Sequence, residues 1–237
     1  MHAALCFVPQ LRSTLARIGL IALTLGLGAN FSWAAEKAAE TKLPSKPAET
    51  TEAGANWKGL FDGKTLTGWR SSDFSGRGEV TVKDGQIRLG EGYMTGITWT
   101  NAADLPRMDY EISLEAMRVE GSDFFCGLTF PVGKDPCSFI VGGWGGGVVG
   151  LSSLDGQDAS QNETTKYMNF ENGKWFKVRV KVTKGKIEAW IDADKMVDVT
   201  TEGKSLSIRL EVEPSKPLGI ATWNTAAALR NIRLRRL

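Results

Sequence analysis

Apart from His2, the 237-residue chain contains no histidine, and this bounds its chemistry. No Ser–His or Cys–His nucleophile pair can be assembled, and no zinc site built on imidazole. Proton transfer therefore falls to carboxylates. Glu115 and Glu188 occupy the polar positions of alternating segments, while Asp123, Asp155 and Asp158 lie on stretches between such segments. Glu115, Asp155 and Asp158 are the expected proton-transfer groups. Paired carboxylates serve direct glycoside hydrolysis as well as elimination, so their presence does not choose between the two. Each also has an ordinary reading. Glu115 and Glu188 suit a solvent-facing strand surface, and Asp155, preceding Gly156, suits a turn.

The stretch FIVGGWGGGVVGLSSLDG, residues 139–156, holds seven glycines and Trp144. It lacks the closing Lys-Ser/Thr of a phosphate loop, and no helical period follows it. Small neighbours leave the Trp144 ring open to the apolar face of a sugar; a tight turn between crowded strands is compatible with that. Trp190 and Trp223 can stack in the same way, although Trp223 equally suits sealing of a sheet edge. Asn162, Arg179 and Glu188 are the expected polar partners of the same ligand. Asp158, Asn162 and Glu163 are oxygen-rich and close together, which fits a calcium loop without the spacing of an EF-hand. No other cofactor is indicated. Asn162-Glu163-Thr164 matches a glycosylation triplet, a mark of exposure.

These residues need a frame. Arg12 and Arg17 precede the apolar run IGLIALTLGLGA and the small residues Ser32 and Ala34. That is a signal-peptide pattern over residues 1–34, with cleavage expected between Ala34 and Ala35. An uncleaved anchor over 18–35 is the alternative. Without residues 1–34 the chain has 27 basic and 27 acidic residues, so its charge balance does not favour nucleic acid. No stable membrane insertion is expected after cleavage, and the destination is periplasmic or extracellular. Residues 35–55 are charged or small, with Leu43 their only large apolar side chain, and read as a flexible linker. Cys126 and Cys137 flank GLTFPVGKDP. A turn centred between Pro131 and Val132 places them opposite each other, as a disulfide in an oxidising compartment or as two buried thiols.

From Trp57 onward the dominant period is two. DYEISLEAM, WFKVRVKV, KIEAWID, SIRLEV and NIRLRRL alternate apolar with polar residues, and turn signals such as KDGQ, TKGK, DADK and PSKP separate the segments. Only NETTKYMNF has any helical character. Residues 56–237 therefore predict one all-β domain, a sandwich of two antiparallel sheets.

Two stretches go beyond periodicity. NWKGLFDGKTLTGWR carries Trp57, Leu60-Phe61-Asp62-Gly63, Leu66 and Gly68-Trp69, followed by Val82, Asp84-Gly85 and Ile87. This resembles the opening of the 3-keto-disaccharide hydrolase family, also called domain of unknown function 1080. MDYEISLEAMR, WFKVRVKVTKGKIEAWIDA and LRNIRLRRL are similar to later family segments, so the resemblance spans 56–237. It implies a concanavalin-like jelly roll acting on sugars oxidised at C3, with a carboxylate removing the C2 proton, loss of the C1 glycosidic oxygen and readdition of water. It leaves room for a divalent metal such as calcium to take part, without requiring one. The likeness breaks in the middle. The family arginine falls near Gly127 or Leu128 and its glutamate near Ser138. Two functions follow, an exported enzyme cleaving 3-keto-glycosides or a noncatalytic carbohydrate-binding module; oligosaccharide or 3-keto-glycoside is the partner in both.

Intact-mass measurement on the exported protein is expected to find a chain beginning at Ala35. A full-length chain held in the membrane fraction would identify the apolar run as an anchor.

Overall fold

The computed structural model describes residues 56–237. The expected signal (1–34) and linker (35–55) lie outside the described residues. Strands β1 (Lys58–Gly59), β2 (Trp69–Ser71), β3 (Val80–Lys83), β4 (Gln86–Leu89) and β5 (Met94–Trp99) precede β6 (Tyr110–Gly121), β7 (Cys126–Val132), β8 (Asp135–Gly143), β9 (Val148–Ser152) and β10 (Lys166–Tyr167). β11 (Trp175–Thr183), β12 (Lys186–Ile191), β13 (Asp194–Thr200), β14 (Gly219–Trp223) and β15 (Thr225–Arg236) complete the set. They form an eight-stranded sheet ordered β13-β12-β11-β6-β15-β4-β3, with β1 on β15, and a seven-stranded sheet ordered β10-β9-β8-β7-β14-β5-β2. The C-terminal strands β14 and β15 insert beside β7 and β6, so the two ends of the domain are interleaved in both sheets. This is a concanavalin-like jelly-roll sandwich.

The alternation explains the pairing. In register, Phe176 faces Ala116, Val178 faces Leu114 and Val180 faces Ile112. Across the next ladder Val180 faces Ala189 and Val182 faces Ile187. A one-residue slip would send all these side chains to the solvent face. Tyr110, Phe125, Phe130, Phe139 and Phe176 are the largest fully buried side chains between the sheets. The Tyr110 hydroxyl donates to the Pro131 carbonyl, and burial pushes its pKa well above the ordinary value.

The seven-stranded sheet departs from simple alternation, because β5, β7 and β9 are buried at every position. Their inner residues, such as Ile97, Leu128 and Leu151, fill the core. Their outer residues are covered by chain lying across the sheet. SIRLEV, expected as a strand, is part of that cover: it forms no strand and enters a 3₁₀ turn at Leu210–Ser215. Pro214 and Pro217 lack the donors a ladder needs, and Leu210 is 81% exposed while Val212 packs with Phe74, Met94 and Ala221. NETTKYMNF forms turns leading into β10 and no helix.

The expected disulfide is corrected. The β7–β8 turn falls at Gly133-Lys134, two residues later than the sequence reading placed it, so Cys126 pairs with Val141 and Cys137 with Phe130. The cysteines are thus offset by four residues along the ladder, about 13 Å at strand rise, beyond the reach of a bridge. Both are free and buried, and burial pushes each thiol up to about 12. Thiol labelling without reductant is expected to leave native protein unmodified and to modify both cysteines once it is unfolded. Absence of labelling in the unfolded, unreduced chain would restore the bridge.

Candidate functional site

A pocket of about 230 Å³ opens on the outer face of the seven-stranded sheet. Its floor is Ser138 and Ile140 of β8 and Ser152 of β9, whose strand neighbours Cys137, Phe139, Val141 and Leu151 point into the core. Asp123 and Phe124 of the β6–β7 turn form one wall, with Trp144 of the β8–β9 turn beside them. Arg209, Glu211 and Val212, from the segment that crosses the sheet, form another, and Met94 and Trp223 complete it. The glycine run is therefore the hairpin holding Trp144 at the pocket mouth. Trp144 is 41% exposed and sits at φ +49°, a left-handed conformation that costs a bulky residue about 1–2 kcal/mol. One bond opposing that strain is donated by the Gly145 amide to Asp123 Oδ2 at 3.1 Å.

Asp123 ties the two turns together, since its Oδ1 accepts from the Phe124 amide at 2.7 Å. Behind it lies the buried Arg118, which donates to Asn172 Oδ1 at 2.8 Å, to the Asp123 carbonyl at 3.3 Å and to the Phe170 carbonyl at 2.5 Å. Burial lowers the Arg118 pKa, and the Asp123 charge opposes that shift. On the facing wall Arg209 binds Glu211 at 2.8 Å and Asp158 at 3.1 Å. The hydrogen bond from Arg209 holds the Glu211 carboxyl below its ordinary value, and the same bond raises Arg209. The pocket thus joins apolar and aromatic walls to two carboxylates and one guanidinium.

The residues singled out by sequence divide between opposite surfaces. Trp144 and Trp223 line the pocket, and Asp158 reaches it through Arg209. Glu115, Arg179, Glu188 and Trp190 do not share this site; they lie on the outer face of the eight-stranded sheet. There Glu115 accepts from Arg230 Nε and Asn231 Nδ2, each at 2.7 Å. Glu188 is held by Lys195 at 2.6 Å, and the Arg179 guanidinium covers the Trp190 ring at 3.8 Å. Polar faces of strands look alike in sequence whichever sheet they belong to. Asp155 is the turn residue of its ordinary reading, at φ +50° with Oδ1 accepting from the Ser205 amide.

Asn162 is buried and acts as a loop staple. Its Nδ2 donates to the Leu151, Gln157 and Asp158 carbonyls, and its Oδ1 accepts from the Thr164 amide and hydroxyl. With its amide so engaged, it does not mark an exposed glycosylation site. Glu163 pairs with Lys204 at 2.6 Å, and Asp158 with Ser160 and Arg209. Among the described residues no three His, Cys, Asp or Glu side chains converge as a metal site. In the oxygen-rich loop the polar side chains are thus directed to protein partners, Asn162 to backbone groups, Glu163 to Lys204 and Asp158 to Ser160 and Arg209.

A family model for the 3-keto-alpha-glucoside-1,2-lyase-like domain matches residues 56–235. The chain belongs to that family. A comparison with curated proteins found no match. Among solved structures, the Crh5 transglycosylase in complex with NAG is 12% identical, with 77% of this chain and 84% of that one covered at a TM-score of 0.52. A candidate glycosyl hydrolase from Parabacteroides distasonis ATCC 8503 is 18% identical, covering 78% and 95% of the two chains at a TM-score of 0.49. The carbohydrate-binding module CBM66 from Bacillus subtilis is 11% identical, with 71% and 95% covered at a TM-score of 0.47. The Crh5 likeness shows the shared fold. Family membership makes this a carbohydrate-active, 3-keto-alpha-glucoside-1,2-lyase-like domain, carried on a β-sandwich fold shared with the Crh5 structure.

Sequence reasoning missed Arg209 and Glu211, which belong to the segment misread as a strand, and Arg118, whose charge is hidden at the end of β6. The prolines after Val212 were the available signal. For this family member Glu115→Gln is expected to leave sugar binding and turnover at wild-type level while lowering thermal stability at neutral pH. Burial raises the Glu115 pKa, but hydrogen bonds from Asn231 and Arg230 outweigh it, so the folded value lies below the ordinary 4.5. The stabilisation is fully present above the unfolded pKa and is lost as pH falls through the folded one. Melting curves of wild type and variant from about pH 6 to about pH 3 should converge at the acid end. Lost turnover with unchanged stability would return Glu115 to the site.

Proposed function

We propose that this domain is an exported protein that cleaves 3-keto-glycosides in the pocket on its seven-stranded sheet. One observation carries the reading: Trp144 and Trp223 converge with Asp123, Arg209 and Glu211 on a single concave surface. A ring held against the tryptophans offers its apolar face to them and its oxygens to the charged wall. A C3 ketone acidifies the C2 proton. Glu211, kept ionised by Arg209, removes that proton, and the electron pair passes to the C3 oxygen as an enediolate. The Arg209 guanidinium steadies this oxygen, while Asp158 keeps Arg209 in place from its far side. The enediolate expels the C1 glycosidic oxygen, which takes up the proton that Glu211 removed from C2, and water then adds across the C1–C2 double bond, its hydroxyl to C1 and its proton to C2. Asp123 is the second carboxylate beside the reacting ring.

A noncatalytic carbohydrate-binding module is the second reading. It is favoured by the Asp123 carboxylate being taken up by two backbone amides, and by Ser138 on the floor where a charged family residue is expected.

Product release from a 3-keto-disaccharide, with the unoxidised disaccharide in parallel, tests the proposal in wild type, Glu211→Gln and Asp123→Asn. The expected outcome is turnover of the oxidised sugar alone, with Glu211→Gln slower by about 10²–10⁴-fold. Binding of either sugar without turnover identifies the module. Turnover unaffected by both substitutions would remove these carboxylates from the mechanism.

A further inference from the structure

At about 230 Å³ the pocket is smaller than the roughly 300–1,000 Å³ of sites that enclose drug-sized ligands. It has room for one sugar ring, so any further ring of a glycoside lies on the surface outside. The direction it takes is marked by Trp223. This residue pairs with Met94 across the β5–β14 ladder, and both line the pocket. Immediately before Met94 stands Tyr93, 54% exposed, its ring centroid 4.3 Å from that of Trp223 at an interplanar angle of 54°. Aromatic surface therefore runs from the pocket wall onto an exposed ring.

That ring is held rather than loose. The Tyr93 amide donates to the Gly76 carbonyl at 2.9 Å. The Asn224 amide is shared between the Gly92 and Tyr93 carbonyls, at 3.1 and 3.3 Å. Both strand ends at the pocket rim are thus fastened to each other, and the tyrosine side chain leans on Trp223. An aromatic ring already fixed in its exposed position loses little entropy when a ligand covers it. Its hydroxyl remains at the edge to bond with sugar oxygens.

We propose that Tyr93, backed by Trp223, is the platform on which the second ring of a bound glycoside stacks. The inference rests on the pocket taking a carbohydrate. Stacking is tolerant of ring substituents, so the platform grades ligands by length while the charged wall reads the ring inside.

Calorimetry on the folded protein tests this with glucose, its α-linked di- and trisaccharides and their C3-oxidised forms. Wild type is expected to bind the disaccharide more tightly than the monosaccharide. Tyr93→Ala is expected to lose roughly five- to tenfold in disaccharide affinity with monosaccharide affinity unchanged. Tyr93→Phe should retain most of the preference for length. Equal effects of Tyr93→Ala on both sugars, or none on either, would overturn the platform while leaving the pocket intact. No binding of any of these sugars by wild type would overturn the pocket reading and the platform with it.

Discussion

A sheet packed on its inner face by large core residues can be covered closely on its outer face where that face carries small side chains. The seven-stranded sheet meets this condition with Gly127, Ser138, Gly150, Ser152 and Ala221 on its outer surface. A Cβ at Gly150 would approach the Ala159 carbonyl and Thr164 Oγ1 to 3.1 Å, and one at Gly127 would approach the Phe124 ring to the same distance. The loop stapled by Asn162 and the aromatic wall of the pocket both depend on that space. The crossing segment settles on the same surface, with Val212 among Phe74, Met94 and Ala221 and the Pro214 carbonyl accepting from Thr98 Oγ1 at 2.7 Å. The pocket is the part of this face that the cover leaves open.

The outer face of the eight-stranded sheet is finished differently. Glu111 is fully buried there beneath Arg179 at 2.8 Å and Arg235 at 2.5 Å. A buried carboxylate deprived of its partners costs about 3–5 kcal/mol, so the two arginines belong to the fold. Their guanidinium planes also cover Trp190 and Trp57. Glu188 extends the lattice to Lys195, Lys181 and Lys186. These charges close a sheet surface with their long stems and pair with one another, which accounts for their poor match to a ligand site.

The family motif at the start of the domain is scaffold as well. Asp62 Oδ1 accepts from the Lys64 and Thr65 amides at 2.8 Å each, which shapes the turn. Trp69 is buried edge-on against Trp99, with its indole nitrogen donating to the Leu60 carbonyl at 2.7 Å. Residues that identify the family are therefore remote in role from those that line the pocket. The motif specifies how the opening segment seats on the sandwich, whereas the pocket is assembled from strand, turn and crossing-segment residues further along the chain.

Strand alternation in β6, β11, β12 and β15 was readable directly, because a side chain's face is set by its parity within one strand. The glycines around Trp144 marked its exposure, and the absence of histidine beyond His2 ruled out histidine chemistry. Strand parity could not say which sheet a polar face belonged to, so Glu115 and Glu188 stood as site candidates beside Asp123 although they lie on the opposite sheet. Nor could it show that Ile208 to Val212 lies across a sheet instead of within one, which is how Arg209 and Glu211 escaped notice. The hairpin register of Cys126 and Cys137 turned on a shift of two residues in one turn. Local periodicity and absent residue types determined the fold class and the available chemistry; the partners of each strand, turn and crossing segment, set by packing between residues far apart in the chain, decided which side chains meet.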